Sequence, residues 1–341
     1  MALFSRLFGW FSKDMAIDLG TANTLIHVRG EGIVIDEPSM VALSGANGDI
    51  VAIGTHAKAL YGKAPDSIKI VRPMKDGVIA DFDVTQKMIQ YFIRQVHQRK
   101  YARPRVFVAV PSGITPVEKR AVIEAAYEAG VRKINLIEEP MAAAIGAKVD
   151  IDNTLGSMVV DIGGGTTEVA IISRSAISYN ESIRVAGDEM DEAIVRYLRN
   201  RYKMEVGIFE AERVKIAAGS ASPLKKRLQV EVRGRDIVRG IPKKLTLTDE
   251  VLREALNEPI KAIVGAITKA LDNISPEVTM EIMDRGIVLA GGGALLRGIG
   301  SHLHRETNIH IYRAREPLRA VVRGTGMVME NFMEFKKVCL N

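Results

Sequence analysis

The segments "DLGTANT" (residues 18–24) and "DIGGGTT" (residues 161–167) constrain the fold more than anything else in this chain. Each opens on an Asp, has a Gly two residues later, and closes on small hydroxyl or amide side chains. Each also ends one apolar run (Met15-Ala16-Ile17; Met158-Val159-Val160) and starts another (Leu25-Ile26-His27-Val28; Val169-Ala170-Ile171-Ile172). Apolar runs flanking a tight Gly turn predict a strand–turn–strand unit. The order of elements that follows is repeated as well. The first half predicts a strand at Arg105–Val110, a helix at Pro116–Ala129 closed by Gly130, a strand near Ile134–Ile137 and a helix from Pro140. The second predicts a strand at Gly286–Ala290, a helix from Ala294, a strand at Ile309–Tyr312 and a helix from about Leu318. The Asp turns are 161 − 18 = 143 residues apart and the later strands 287 − 106 = 181 apart, so the second half carries some 38 extra residues. The chain is an α/β protein built by duplication, with unequal insertions.

With 341 residues, 47% of them hydrophobic, there is material for two cores. The expected division is residues 15–142 plus 318–341 for the first domain, with an insert at about 32–71. The second domain covers 143–317, with an insert at about 182–252. "VFVAV" reads as a strand buried on both faces. In the helix after it, Val117, Ala121, Ala125 and Ala129 are expected to form the inward stripe. The second insert ends in "LQVEVRGRDIVRGIPKKLTLT", an alternating, Gly-punctuated ribbon. One cysteine, Cys339, excludes a disulfide or a cysteine metal site within the chain and fits a reducing cytoplasm. A net charge of +6 is mild, and aromatics at 5% do not interleave with the basic runs. That leaves no base-stacking platform, and no nucleic-acid partner is expected.

A Gly turn between strands exposes backbone N–H groups with no Cβ in the way, so it can wrap an anion. The leading Asp cannot hold phosphate, since both are negative; it suits Mg²⁺ or the waters of Mg²⁺. One such turn is a common hairpin. Two, in equivalent places of a duplicated fold, predict a polyphosphate clasped from both sides of a cleft. The third element, "GIVLAGGGALLRG" (286–298), predicts a strand running through Gly291, Gly292 and Gly293 into a helix beside the ligand. It lacks the G-x-x-x-x-G-K-[ST] spacing and so is no P-loop. Pro140 suits a first helical turn and predicts Glu139 at the N-cap, as a capping carboxylate or as an acceptor for an attacking water.

"AIDLGTANT", "VVDIGGGTTEVA", "EEPMAAAIGA" and "LAGGGALL" resemble the phosphate-1, phosphate-2, connecting-helix and adenosine motifs of the actin/hexokinase/Hsp70 ATPase superfamily. Within it the chain is most similar to the bacterial actin-like MreB family, to which "DEPS", "RPMKDGVIADF" and "GDEMDEAI" also correspond. The resemblance covers about Met15 to Gly326. It implies an actin-like fold of two RNase H-like domains around an ATP–Mg²⁺ cleft. It further implies a homopolymer of paired protofilaments that binds the inner face of the cytoplasmic membrane and guides cell-wall elongation proteins. Carried over residue by residue, it gives Glu139 the catalytic water, with Thr166 holding the same water, and gives Asp18 and Asp161 the metal through water. Gly20, Thr21, Ala22 and Asn23 would meet the phosphates on one side, and Gly163, Gly164, Gly165 and Thr166 on the other. Gly187, Glu212, Lys215, Gly291, Gly292, Gly293 and Ala294 would line the nucleoside. The family tends to carry an acid where this chain has Ala217, and two glycines where it reads Ala186-Gly187. A nucleotide-binding adaptor with little hydrolysis, and a small-molecule kinase of the same superfamily, are the rival readings.

Ahead of the first strand lies "MALFSRLFGWFSKD". Wound as a helix over residues 1–14, it puts Leu3, Phe4, Leu7, Phe8, Trp10 and Phe11 on one face, about 160° wide at 100° per residue. Arg6 interrupts the apolar stretch and no small-residue cleavage site follows, which argues against a signal peptide. An interfacial membrane helix and a tail docked on its own domain are the two readings. Tyr101-Ala102, between basic residues, is a second candidate membrane contact.

Overall fold

The computed structural model describes residues 13–45, 48–97 and 103–340, and its chain divides into two units. The first runs up to Asp152, takes in Arg174–Ala176 and resumes at Arg319; the second is Asn153–Ser173 with Ile177–Leu318.

The first unit contains strands β1 (Met15–Leu19), β2 (Asn23–Val28), β3 (Gly32–Pro38), β4 (Val41–Ser44), β5 (Ile50–Ile53), β6 (Ile68–Val71), β7 (Met74–Lys75), β8 (Val78–Ile79), β9 (Arg105–Val110) and β10 (Lys133–Glu138). Its main sheet has the order β3-β2-β1-β9-β10, with β1–β2 and β2–β3 antiparallel and β1–β9 and β9–β10 parallel. The second unit contains β11 (Ser157–Ile162), β12 (Thr167–Ser173), β13 (Ala176–Ile183), β14 (Met204–Glu205), β15 (Gln229–Asp236), β16 (Pro242–Thr248), β17 (Ile287–Ala290) and β18 (Ile311–Arg313). Its main sheet runs β13-β12-β11-β17-β18. Counting only its own five strands in chain order, each main sheet therefore places the third, second, first, fourth and fifth side by side. The duplication inferred from spacing is a duplication of topology. Each half also carries a small extra sheet, β5-β4-β6 in the first and β14-β15-β16 in the second.

Packing follows from the sequence periods. Helix Phe82–His97 buries Val84, Met88, Ile89, Phe92 and Ile93, spaced as a 3.6-residue repeat requires. β11 is buried along its whole length, as a central strand covered on both faces should be. Helix Pro116–Glu128 starts at the capping box of Thr115 and Glu118, and of its expected inward stripe Ala125 and Ala129 are buried, Ala121 is half-buried and Val117 is not inward. Val117 stands 78% exposed, and Val122, Ala125 and Ala126 face the core. The first insert also begins later than residue 32. Gly32–Pro38 pairs with β2 along its length and belongs to the main sheet, as an edge strand that buries only Ile35.

The expected cut at 142 falls inside helix Glu139–Gly146, which the first unit keeps whole. The reason is its contact with helix Ala320–Glu330. A Cβ on Gly146 would lie 1.9 Å from the Ala320 carbonyl oxygen, and one on Gly324 would lie 1.8 Å from that of Ala142. The two helices meet backbone to backbone, which only glycine allows at both points. Gly146→Ala is expected to lower the midpoint of chemical denaturation by the equivalent of about 1–3 kcal/mol, the usual range for an overpacked core. The chain then turns back so that Cys339 bridges Ile137 and the Leu340 N–H donates to the Leu136 carbonyl at 2.9 Å. This tail covers the exposed edge of β10, and burial pushes the Cys339 thiol up, away from the reactive thiolate.

Candidate functional site

Residues singled out in the sequence gather at the C-terminal ends of the parallel strands in each unit, where open α/β sheets hold ligands. In the first unit, Asp18 is level with Ala109 of β9, and Val110 is level with Glu138 of β10. Glu139 follows at once, as the first residue of its helix. The N-cap is Glu138, one residue earlier than expected, and its side chain makes no capping bond. Gly20 cannot carry a side chain, because a Cβ would lie 2.6 Å from the Asn23 carbonyl oxygen. The β1–β2 turn is held by residues of two of the quoted segments to which the sequence alone assigns no role. Ser39 Oγ donates to the Gly20 carbonyl at 2.6 Å, and the Ser39 N–H donates to that of Ala22 at 2.9 Å. The Gly77 N–H donates to Thr21 Oγ1 at 3.0 Å, and Arg72 donates to the Thr21 carbonyl at 3.4 Å. "DEPS" and "RPMKDGV" are therefore the braces of this turn. Thr21 Oγ1 already accepts from Gly77 and keeps its own proton to donate. Glu139 and Leu19 also line a pocket with Met74, Val78, Ile79 and Pro111.

In the second unit Asp161 pairs across the sheet with Glu168 on β12 and is level with Ala290 of β17. Its Oδ1 is buried and without a hydrogen-bond partner, and burial pushes the carboxyl up to about 7. Such a group has been taken from water without compensation, which natural folds accept mainly where a ligand completes the environment. The neighbouring glycines explain how it is approached. Gly291 has φ +75°, and a Cβ there would lie 2.4 Å from Asp161 Oδ1. A Cβ on Gly293 would lie 2.1 Å from Ile162 Cγ2. These two glycines let the chain press against the end of β11. They do not open an α-helix as expected: Gly292–Leu295 is a 3₁₀ turn, and the helix starts at Ile299. A buried acid with an orphaned oxygen, backed by backbone with no Cβ, fits a hydrated divalent cation.

The β11–β12 turn is closed by the Gly163 N–H donating to the Thr166 carbonyl at 2.9 Å, and Thr166 itself is buried. It is seated on the start of helix Gly187–Tyr202, whose Gly187 and Asp188 N–H groups donate to the Gly163 and Gly164 carbonyls at 3.1 and 2.7 Å. Glycine suits this close approach, since a Cβ on Gly187 would lie a tight 3.2 Å from the Gly163 oxygen. Lys215, on helix Ile208–Ala218, donates to the Gly187 carbonyl at 2.7 Å. Glu212 precedes it by three residues on the same helix and is half-buried, while Ala217 is exposed. The second unit thus brings together Asp161, Gly163, Gly164, Gly165, Thr166, Gly187, Lys215 and Gly291–Ala294. The six apolar residues expected to touch a membrane, Leu3 to Phe11, and the Tyr101 loop lie outside the described residues. Among the described residues no helix is long and apolar enough to cross a bilayer.

Comparison with known proteins agrees with this architecture. A family described as "MreB/Mbl protein" matches residues 12–337. The chain is 50% identical over 334 residues to the cell shape-determining protein MreB of Escherichia coli (strain K12), covering 96% of each. Its fold matches that of MreB5 of Spiroplasma citri bound to AMPPNP, with a TM-score of 0.91, 34% identity and coverage of 96% of this chain and 98% of that one. A MamK double helical filament shares the fold, with a TM-score of 0.80 at 20% identity over 94% of this chain and 99% of that one.

Proposed function

The chain belongs to the MreB/Mbl family of cell shape-determining proteins, with an actin-like fold, and we propose that it binds and hydrolyses ATP and polymerises into membrane-associated filaments that organise cell-wall elongation. The observation that carries this reading is the repeated half-site: two units of one strand order, each presenting an acid and a Gly-bearing hairpin at the same strand ends. The relative whose structure holds AMPPNP, at 34% identity, supports a nucleotide as the ligand.

In this reading the N–H groups of Gly20–Asn23 and Gly163–Thr166 bind the phosphates. Asp18 and Asp161 hold Mg²⁺ through its waters, and the ion, when bound, neutralises phosphate charge. Glu139 accepts a proton from the attacking water while Thr166 orients it. The new bond joins the water oxygen to the γ-phosphorus, the bond from that phosphorus to the bridging oxygen breaks, and ADP leaves with the electron pair. Gly187, Glu212, Lys215 and Gly291–Ala294 face the nucleoside.

Sedimentation with Mg·ATP, with and without anionic vesicles, alongside phosphate release, tests the whole reading. Nucleotide-dependent pelleting followed by phosphate release is expected. Pelleting without release favours the adaptor, and soluble monomers with sugar-dependent turnover favour the kinase. Deleting residues 1–11 is expected to leave polymerisation intact and to weaken vesicle binding at least about tenfold, because filament avidity multiplies a modest contribution from each copy of the segment. A truncated chain that no longer folds instead makes the segment a docked tail.

A further inference from the structure

We infer that Asp191, from helix Gly187–Tyr202, is a positioning residue of the nucleotide site: it fixes the Lys215 ammonium against the Gly187 carbonyl, and so fixes the helix start on which the β11–β12 turn sits. This rests on the nucleotide reading given above and names a residue that reading does not use.

The geometry is a chain of four contacts. Lys215 Nζ lies 2.9 Å from Asp191 Oδ1, with both side chains largely buried, at 14% and 6% exposure. Beyond this ion pair, Asp191 Oδ1 is a buried acceptor without a hydrogen-bond partner. The directed bond of Lys215 goes to the Gly187 carbonyl at 2.7 Å. The Gly187 and Asp188 N–H groups then hold the Gly163 and Gly164 carbonyls. Burying a carboxylate beside one cation, without further donors, is a poor way to stabilise a fold. Burial pushes Asp191 up to about 6, against the pull of Lys215, with Glu212 and Asp188 raising it further. What the pair accomplishes is positional. Uncompensated, the Lys215 ammonium would turn toward water or toward a bound anion, and the Gly187 carbonyl would lose its donor.

The test is titration of a fluorescent ADP analogue with Mg²⁺ into the full chain, with melting temperature measured in parallel. Asp191→Asn, which keeps shape and removes charge, is expected to weaken binding about 10- to 100-fold, the range for residues that orient a direct ligand-binding group. Its melting temperature is expected to stay level or rise, since a desolvated charge is gone. Lys215→Met is expected to weaken binding comparably, and the double variant no further, because both changes break one unit. The charged groups acting on Asp191 are Lys215 and Glu212 from the facing helix and Asp188 from its own. In the parent, affinity should therefore decline as pH falls through about 6, a step that Asp191→Asn lacks. Parent-like affinity and an unchanged pH profile in Asp191→Asn overturn the inference. So does a loss of binding that tracks a loss of melting temperature, which marks a structural pair. A parent chain that binds no nucleotide under any condition overturns the nucleotide reading itself, and is told apart because it precedes any variant.

Discussion

Glu139→Gln is expected to bind Mg·ATP as the parent does and to release phosphate roughly 10²- to 10⁴-fold more slowly, the usual worth of a positioned general base. Glutamine keeps the size and hydrogen-bonding reach of the side chain and loses only the capacity to take a proton. Glu139 is the first residue of its helix, half-buried and lining a pocket, and the capping position belongs to Glu138. A carboxylate in a first helical turn gains only about 0.3–1 kcal/mol from the helix dipole, so a purely structural Glu139 predicts a slight loss of stability and unchanged turnover. Glu138→Gln serves as the control next door, with its release rate expected within about twofold of the parent, the small effect usual for a change away from the chemistry. Single-turnover phosphate release and equilibrium nucleotide titration separate the cases. Equal release rates in Glu139→Gln and the parent remove Glu139 from the mechanism.

The duplicated core was legible because its signals are strong and local: an apolar run, an Asp, a Gly turn and a second apolar run, stated twice. Edges and irregular backbone were not. β3 buries only Ile35, so nothing in its apolar pattern separates it from the inserted strands that follow. In helix Pro116–Glu128 the faces through Val117 and through Val122 are both apolar enough, and the packing against helix Phe82–His97, β8 and β10, which the local pattern does not report, decides between them. The three glycines of "AGGGA" looked like a helix opening. The role of Gly291 and Gly293 in the structure is clearance against Ile162 and Asp161, which depends on which strand lies beside them. Ser39 and Arg72 brace the first turn from 19 and 51 residues away in the chain, and no local pattern reports that. Asp191 did leave a trace. It shares a stripe with the buried Ile194 and Leu198, an acid where the helical period calls for an apolar residue, hidden among the other acids of "GDEMDEAI".

Asp161→Asn is expected to have two effects of opposite sign. Mg·nucleotide affinity should fall by about a hundredfold, since an amide offers a hydrated cation no charge. The ligand-free protein should nevertheless become more stable at pH 8. In the fold the Asp161 carboxyl is pushed up to about 7 by burial, whereas an unfolded chain ionises it near 3.8. Between those values the folded state holds the proton and the unfolded state has lost it. Folding stability therefore falls as pH rises from about 4 to 7 and stays reduced above, by an amount on the order of 4 kcal/mol. Asparagine does not ionise, so its stability curve lacks that descent and crosses above the parent's. Adding Mg²⁺ and nucleotide should raise the melting temperature of the parent, because a ligand that binds only the folded state stabilises it, and should leave Asp161→Asn unmoved. A flat parent curve between pH 5 and 8, or a variant that gains the same thermal shift from Mg·nucleotide, would show that Asp161 is spare polar packing at the end of β11. A residue that weakens the empty fold and is needed by the filled one is held in place by its ligand.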